Sequence, residues 1–372
     1  MTGFYHPDAV DLADLAAICA RTATLDALPF AAEVRHNVPI YDVANLDLTD
    51  PALLSAWGNV LLTGPGAIVL RGAYADTSAI DAATTIYSDI IAAEKAAGGS
   101  EADHFAAGTN DRVWNAAQKL CLADPAVFAA YFGNPAIAAA CTAWLGPHYQ
   151  MTAQVNLVYP GGAAQSAHRD YHLGFQTAQD CARYPAHVHD LTAALTLQGA
   201  IAHCDMPVES GPTQLLPFSQ TYGPGYTAFR RADVRAFFED NAIQLPLAKG
   251  DALFFNPALL HAAGANTTAN INRMANLLQV SSAFGRVMEA LDRAAMCRAL
   301  YPVLLDQPGD HSAAIAACAE GYSFPTNLDR DPPIGGLAPE TQAVLMHRAL
   351  SARMTPEDFA AALATQAARQ VP

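Results

Sequence analysis

The stretch SAHRDYHLGF, residues 166–175, sets two histidines, an arginine and an aspartate close together in a chain that is otherwise apolar and rich in alanine. His168 and Asp170 stand two apart, so on an extended strand both side chains leave from the same face. One short segment then offers an imidazole and a carboxylate to a single cation. Two imidazoles and one carboxylate on one side of an ion leave its other positions open, the facial triad of non-haem iron(II) oxygenases. A third ligand is therefore expected to be a histidine on another strand. DALFFNPALLHAAGANTTANINRM supplies His261, after the strand-like ALFF and before the turn signal AGAN, at a strand end near the mouth of a barrel. Arg273 follows twelve positions later and opens the next strand, where its planar fork suits the far end of a dicarboxylate.

Other histidines fit chemistry less well. His187 and His189 in HVHD have the spacing of a cupin-type pair but lack the glutamate that should follow, and read as a polar loop. His168 with His172 has helical zinc-pair spacing, yet Arg169 stands where a zinc protease needs glutamate. His172 reads as a pocket wall or as a hydrogen-bond donor behind the ligands. Trp114, next to Arg112 in NDRVWN, is a candidate to reach the pocket from a helical cap, although a plain buried tryptophan is the ordinary reading. By itself H-x-D fits a polar surface pair equally well.

These residues must be carried by a β core. From about residue 150 the runs MTAQVNLVY, LTAALTLQGAIAH, PTQLLPF, DALFF and RMANLLQVSSAF are separated by proline, glycine and asparagine turns, which predicts a sandwich or barrel. Ahead of it, residues 8–28 and 78–97 have apolar residues at helical spacing, and 124–146 reads as two helices divided at Gly133–Pro135. One core strand is expected near 66–72, GAIVLRG. Helical patterns return after 286; in MTPEDFAAALATQ, Thr355 is the N-cap and Pro356 the first helical residue. The expectation is one domain over 1–372: a mainly helical part to 149, a β core over 150–285 and a helical extension over 286–372.

Composition narrows the partners. With 52% hydrophobic and 15% charged residues the chain has the balance of a folded globule rather than of a disordered one. A formal net charge of −15 speaks against nucleic acid or an anionic membrane as partner, since either needs a basic face. Arg230, Arg231 and Arg235 read as a solvated helix face. Seven cysteines with no C-x-x-C pair suggest reduced thiols, and the N-terminus has aspartates where a signal peptide has basic residues. A cytoplasmic monomer or homodimer acting on a small molecule is expected.

The ordered set H-x-D, a distant H-x-x-G-x-N and an arginine about a dozen positions on resembles the phytanoyl-CoA dioxygenase family of iron(II)- and 2-oxoglutarate-dependent oxygenases. NLVYPGG (156–162), ESGPTQLLPFSQ (209–220) and GAIVLRG (66–72) resemble, in order, further segments of that family. The resemblance implies a double-stranded β-helix, the cupin-like jelly roll, with helical additions. It implies Fe(II) on His168, Asp170 and His261, with 2-oxoglutarate and dioxygen as co-substrates and Arg273 on the 5-carboxylate. Asn156 occupies a position where the family often contacts 2-oxoglutarate; Thr213 and Gln154 are further candidates. The implied reaction is hydroxylation of an unactivated C–H of a small metabolite or biosynthetic intermediate, with release of succinate and CO2. Two departures stand out: Ala263 where the family often has a hydroxyl residue, and PFSQ in place of a PGSH turn. With Asp170 present, the halogenating relatives that lose this carboxylate are not favoured. Few lysines give little encouragement for a CoA thioester. The alternatives are a cupin-type metal enzyme that does not use 2-oxoglutarate, and a non-catalytic binding protein on the same fold.

Overall fold

The computed structural model describes residues 3–98, 109–335 and 337–371. Its strands are β1 Glu33–Arg35, β2 Val38–Asp42, β3 Ala67–Arg71, β4 Asn110–Val113, β5 Gln150–Val158, β6 Thr196–Ala202, β7 Thr213–Leu215, β8 Ile243–Gln244, β9 Ala252–Phe255, β10 His261–Ala263 and β11 Arg273–Ser281. Eight form one sheet in the order β1-β2-β3-β9-β6-β11-β5-β4, and a small second sheet runs β10-β7-β8. The large sheet is mixed: β2 and β3 pair in parallel, and the other pairings are antiparallel.

The period-2 rule explains how this sheet serves two purposes. On β11, Met274, Leu278 and Val280 enter the main hydrophobic core, joined by Met151, Ala153 and Val155 of β5 and Leu197 and Ile201 of β6. The alternate residues, Arg273, Ala275, Leu277 and Gln279 on β11, Gln154 and Asn156 on β5, and Gln198 and Ala200 on β6, line a cavity on the opposite face. A strand buried on both faces loses simple polar alternation, which is why its direction is hard to read from sequence.

Helices from both ends of the chain fill the core face. Trp57, Tyr87, Phe128 and Ile137 from the first third share one cluster with Met296, Leu300, Ile315, Leu345 and Phe359 from the last. Residues 8–28 form one short α-helix, Leu12–Cys19, capped by the Asp11 carboxylate, with 3-10 turns at Pro7–Ala9 and Leu25–Ala27, and the first third carries four strands instead of the expected one. The predicted break at Gly133–Pro135 is present between helices Pro125–Phe132 and Pro135–Leu145. LTAALTLQGAIAH is strand only from Thr196 onward, because helix Ala186–Ala194 takes its first residues, and His187 and His189 lie on that helix rather than on a loop. His189 is buried, with Nε2 on the Cys181 carbonyl at 3.0 Å. Among the described residues no single helix is long and apolar enough to cross a membrane; the bent pair 125–145 has the composition, and much of it is core.

Candidate metal centre and its cavity

His168 and His261 are brought together by an isolated antiparallel bridge. His168 N–H donates to the His261 carbonyl at 3.0 Å and His261 N–H returns the bond at 3.1 Å. Asp170 is not on a regular strand as the H-x-D spacing suggested. Its N–H bonds the Pro257 carbonyl at 3.0 Å, so the extended segment is pinned to the 257–263 stretch at alternate residues. The same-face geometry survives: His168 Nε2 lies 3.8 Å from Asp170 Oδ1, and His261 Nε2 3.5 Å from Oδ2. One ligand atom from each of the three residues falls within 4.8 Å of the others.

The protonation pattern suits a cation. His168 Nδ1 sits 2.8 Å from the Ser166 carbonyl and His261 Nδ1 2.8 Å from the Leu259 carbonyl. A carbonyl only accepts, so both protons reside on Nδ1 and both Nε2 lone pairs face Asp170. Burial and the neighbouring His261 lower the His168 pKa, which keeps it neutral. Burial opposes ionisation of Asp170; positive charge on the His168 and His261 side and the Gln198 hydrogen bond outweigh it and draw the carboxyl well below its usual range, and with neutral imidazoles that positive charge is what a metal cation would supply. Gln198 Nε2 reaches Asp170 Oδ2 at 2.5 Å; nothing in the sequence singled it out. Immediately after Asp170, Tyr171 and His172 take positive φ of 62° and 44°, a conformation side-chain-bearing residues rarely adopt, and the chain turns away sharply.

The cavity beside the triad measures about 680 Å³. At one end Arg273 is buried, with the carbonyls of Ser210 at 3.2 Å and Gly264 at 3.3 Å as its hydrogen-bond acceptors. Among the described residues it pairs with no carboxylate, and burial lowers its pKa to about 10. It is therefore a charged guanidinium at neutral pH, facing a cavity without a counter-ion. Asn156, buried nearby on β5, has an orphaned Oδ1. Thr213 lines the cavity, on a strand paired with Ala263. These features fit a bound dicarboxylate.

Gln154 is placed differently from its expected role. It is 1% exposed, its oxygen accepts from Arg112 at 3.0 Å and its nitrogen donates to Gln279 at 3.1 Å. Both ends of the amide are thus engaged by protein. His172 is not on the cavity lining and bonds Thr192 at 2.8 Å through Nδ1. Trp114 lines the cavity, with the Arg112 guanidinium 5.2 Å from its ring centre. The basic cluster is not one solvated face. Arg230 lines the cavity mouth and donates to the Gly174 carbonyl at 2.8 Å, while Arg231 binds Asp233 and the Val10 carbonyl. Arg169, between two of the triad residues, is buried over the Tyr226 ring and holds the Ser219 and Tyr222 carbonyls.

Three comparisons bear on identity. The family described as Phytanoyl-CoA dioxygenase (PhyH) matches residues 63–275. No curated protein matches. Solved structures that match in part include the non-heme alpha ketoglutarate dependent epimerase SnoN from nogalamycin biosynthesis, at 20% identity, with 63% of this chain and 82% of that chain covered and a TM-score of 0.44. The carbocyclase SnoK of the same biosynthesis matches at 18% identity, 68% and 91% coverage and a TM-score of 0.46. The match spans more than half of the chain, from before β3 to within β11, and contains the whole triad and Arg273. The chain belongs to the phytanoyl-CoA dioxygenase family of non-haem iron- and 2-oxoglutarate-dependent enzymes.

Proposed function

We propose that this protein is an iron(II)/2-oxoglutarate-dependent dioxygenase that hydroxylates a C–H bond of a small metabolite or biosynthetic intermediate, working at His168, Asp170 and His261. The observation that carries this reading is the pair of Nδ1–carbonyl bonds, which direct two neutral Nε2 lone pairs at one ionised carboxylate. The large and small sheets, with the triad between them, suit a double-stranded β-helix. Bound here, the iron with 2-oxoglutarate and dioxygen supplies oxidising power for attack on a C–H bond, with succinate and CO2 as by-products.

The chain's own residues supply position. Gln198 fixes one oxygen of Asp170 and so sets the plane of the carboxylate. Arg273 neutralises the far carboxylate of 2-oxoglutarate, Asn156 and Thr213 offer it polar contacts, and Phe255, whose ring centre lies 4.8 Å from that of His261, keeps that wall dry. The test is succinate release from 2-oxoglutarate by the Fe(II)-loaded protein, with wild type compared with His168→Ala, His261→Ala and Asp170→Ala. Each variant should remain folded, bind Fe(II) weakly and lose turnover by at least about a hundredfold, since each lacks one of three ligands. Full turnover in any of them removes that residue from the metal.

A further inference from the structure

The cavity floor carries a hydrogen-bond chain whose direction is fixed by chemistry. A guanidinium only donates, so Arg112 Nη1 at 3.0 Å obliges Gln154 to present its oxygen. The Gln154 nitrogen then points to Gln279 Oε1 at 3.1 Å. An amide with its oxygen occupied as acceptor leaves its NH2 at the other end, so the hydrogen bonds themselves fix the orientation of Gln279. Among the described residues the Gln279 nitrogen has no acceptor, and the side chain lines the cavity.

Its place matters as much as its direction. Gln279 is directly opposite Gln198 in the β6–β11 register, on the same sheet face, and Gln198 holds Asp170 at 2.5 Å. Six residues along the same face of β11 stands Arg273, about 20 Å away at the usual rise of a strand. Gln279 thus stands level with the residue that holds the triad's carboxylate, and Arg273 at the far end of the floor. The same cavity lining carries apolar side chains that reach solvent: Trp114 is half-buried, Phe175 is 53% exposed and Met288 36% exposed.

We propose that the Gln279 amide NH2, oriented by Arg112 through Gln154, is a specificity-determining donor that selects substrates bearing a carbonyl-type acceptor oxygen on a flat apolar body held among Trp114, Phe175 and Met288. This rests on the catalytic reading above for the position of the reacting carbon, but the recognition itself does not require metal. A substrate without an acceptor at that point leaves a desolvated NH2 unpaired, which is the source of the discrimination.

The test uses two isosteric probes, 2-acetylnaphthalene and 2-isopropenylnaphthalene, titrated by calorimetry against the full chain, both metal-free and loaded anaerobically with Fe(II) and 2-oxoglutarate. Wild type should bind the ketone roughly three- to tenfold more tightly, the worth of one net hydrogen bond. Gln279→Met should abolish the preference while keeping affinity for the hydrocarbon. Gln154→Met, which removes the donor that orients Gln279, should weaken it by freeing the Gln279 amide to rotate; this variant carries the test if Gln279→Met fails to fold. A preference unchanged in either folded variant, equal binding of both probes to wild type, or no binding of either overturns the proposal. The anaerobic Fe(II)–2-oxoglutarate absorption band is recorded in parallel. Its absence from wild type would sink the catalytic reading alone, since the probe preference is also measured on metal-free protein.

Discussion

At the scale of single residues, the most telling group is Arg273, because a buried cation bonded, among the described residues, only to carbonyls is costly unless something anionic joins it. Its fork can meet a carboxylate with two parallel bonds, and Ala263 brings no hydroxyl to share the contact. Arg273→Lys keeps the charge but loses the fork, so 2-oxoglutarate affinity should fall by about ten- to hundredfold, or about 1.5–3 kcal/mol, while Fe(II) binding is kept. A 2-oxoglutarate titration of the anaerobic absorption band reads this directly. Wild-type affinity in both Arg273→Lys and Arg273→Ala would move the co-substrate elsewhere.

At the scale of elements, the end of β6 is tied to two helices through one imidazole. His203 is buried, with Nδ1 2.8 Å from Thr84 on helix Ser78–Ala96 and Nε2 2.8 Å from the Tyr131 hydroxyl on helix Pro125–Phe132. Burial lowers its pKa from 6.5 to about 3. In the unfolded chain this histidine takes up a proton below about pH 6.5, and in the folded one only near 3. Between those values the unfolded state binds more protons, so stability must fall as pH falls. One such group contributes a slope of up to about 1.4 kcal/mol per pH unit. His203→Gln should flatten the pH dependence of urea unfolding between pH 6 and 4 by about that amount, relative to wild type. Parallel curves for the two proteins would show that His203 does not drive the acid sensitivity.

At the scale of the whole molecule, the last eighty or so residues are part of the same core as the sheet. Met296, Leu300 and Leu304 from helix Arg293–Asp306 are buried in the cluster that holds Trp57, Val155 and Leu278. Each such side chain stabilises the fold by about 1.5–3 kcal/mol on burial, against a typical net stability of about 5–15 kcal/mol. We propose that the chain folds as one unit, so that a protein ended after Ala290 should lose cooperative unfolding and aggregate. A soluble 1–290 fragment that unfolds cooperatively would refute this. Charge behaves differently at this scale from its average: in a chain of net −15, the cavity lining contains Arg112, Arg169, Arg230 and Arg273 against a single carboxylate, Asp170. The acidic total thus says little about which ligands the cavity favours.

The sequence by itself determined which three side chains converge, because H-x-D is a local spacing that survives whether the segment is a regular strand or an extended loop, and because His261 and Arg273 sit beside turn signals that place them at strand ends. It also determined a cap and a break, Thr355 and Pro135, whose effect is local. Tertiary structure alone decided which polar residues inside the sheet face the cavity and which are spent on one another. Gln154, Gln198 and Gln279 bond partners on other segments, 28 to 125 residues away. The same holds for β2 and β4, short runs whose strand identity comes from pairing with β3 and β5, some thirty to fifty residues away, rather than from their own periodicity. A hydrogen bond between strands is set by register, and register is fixed only when the whole core packs.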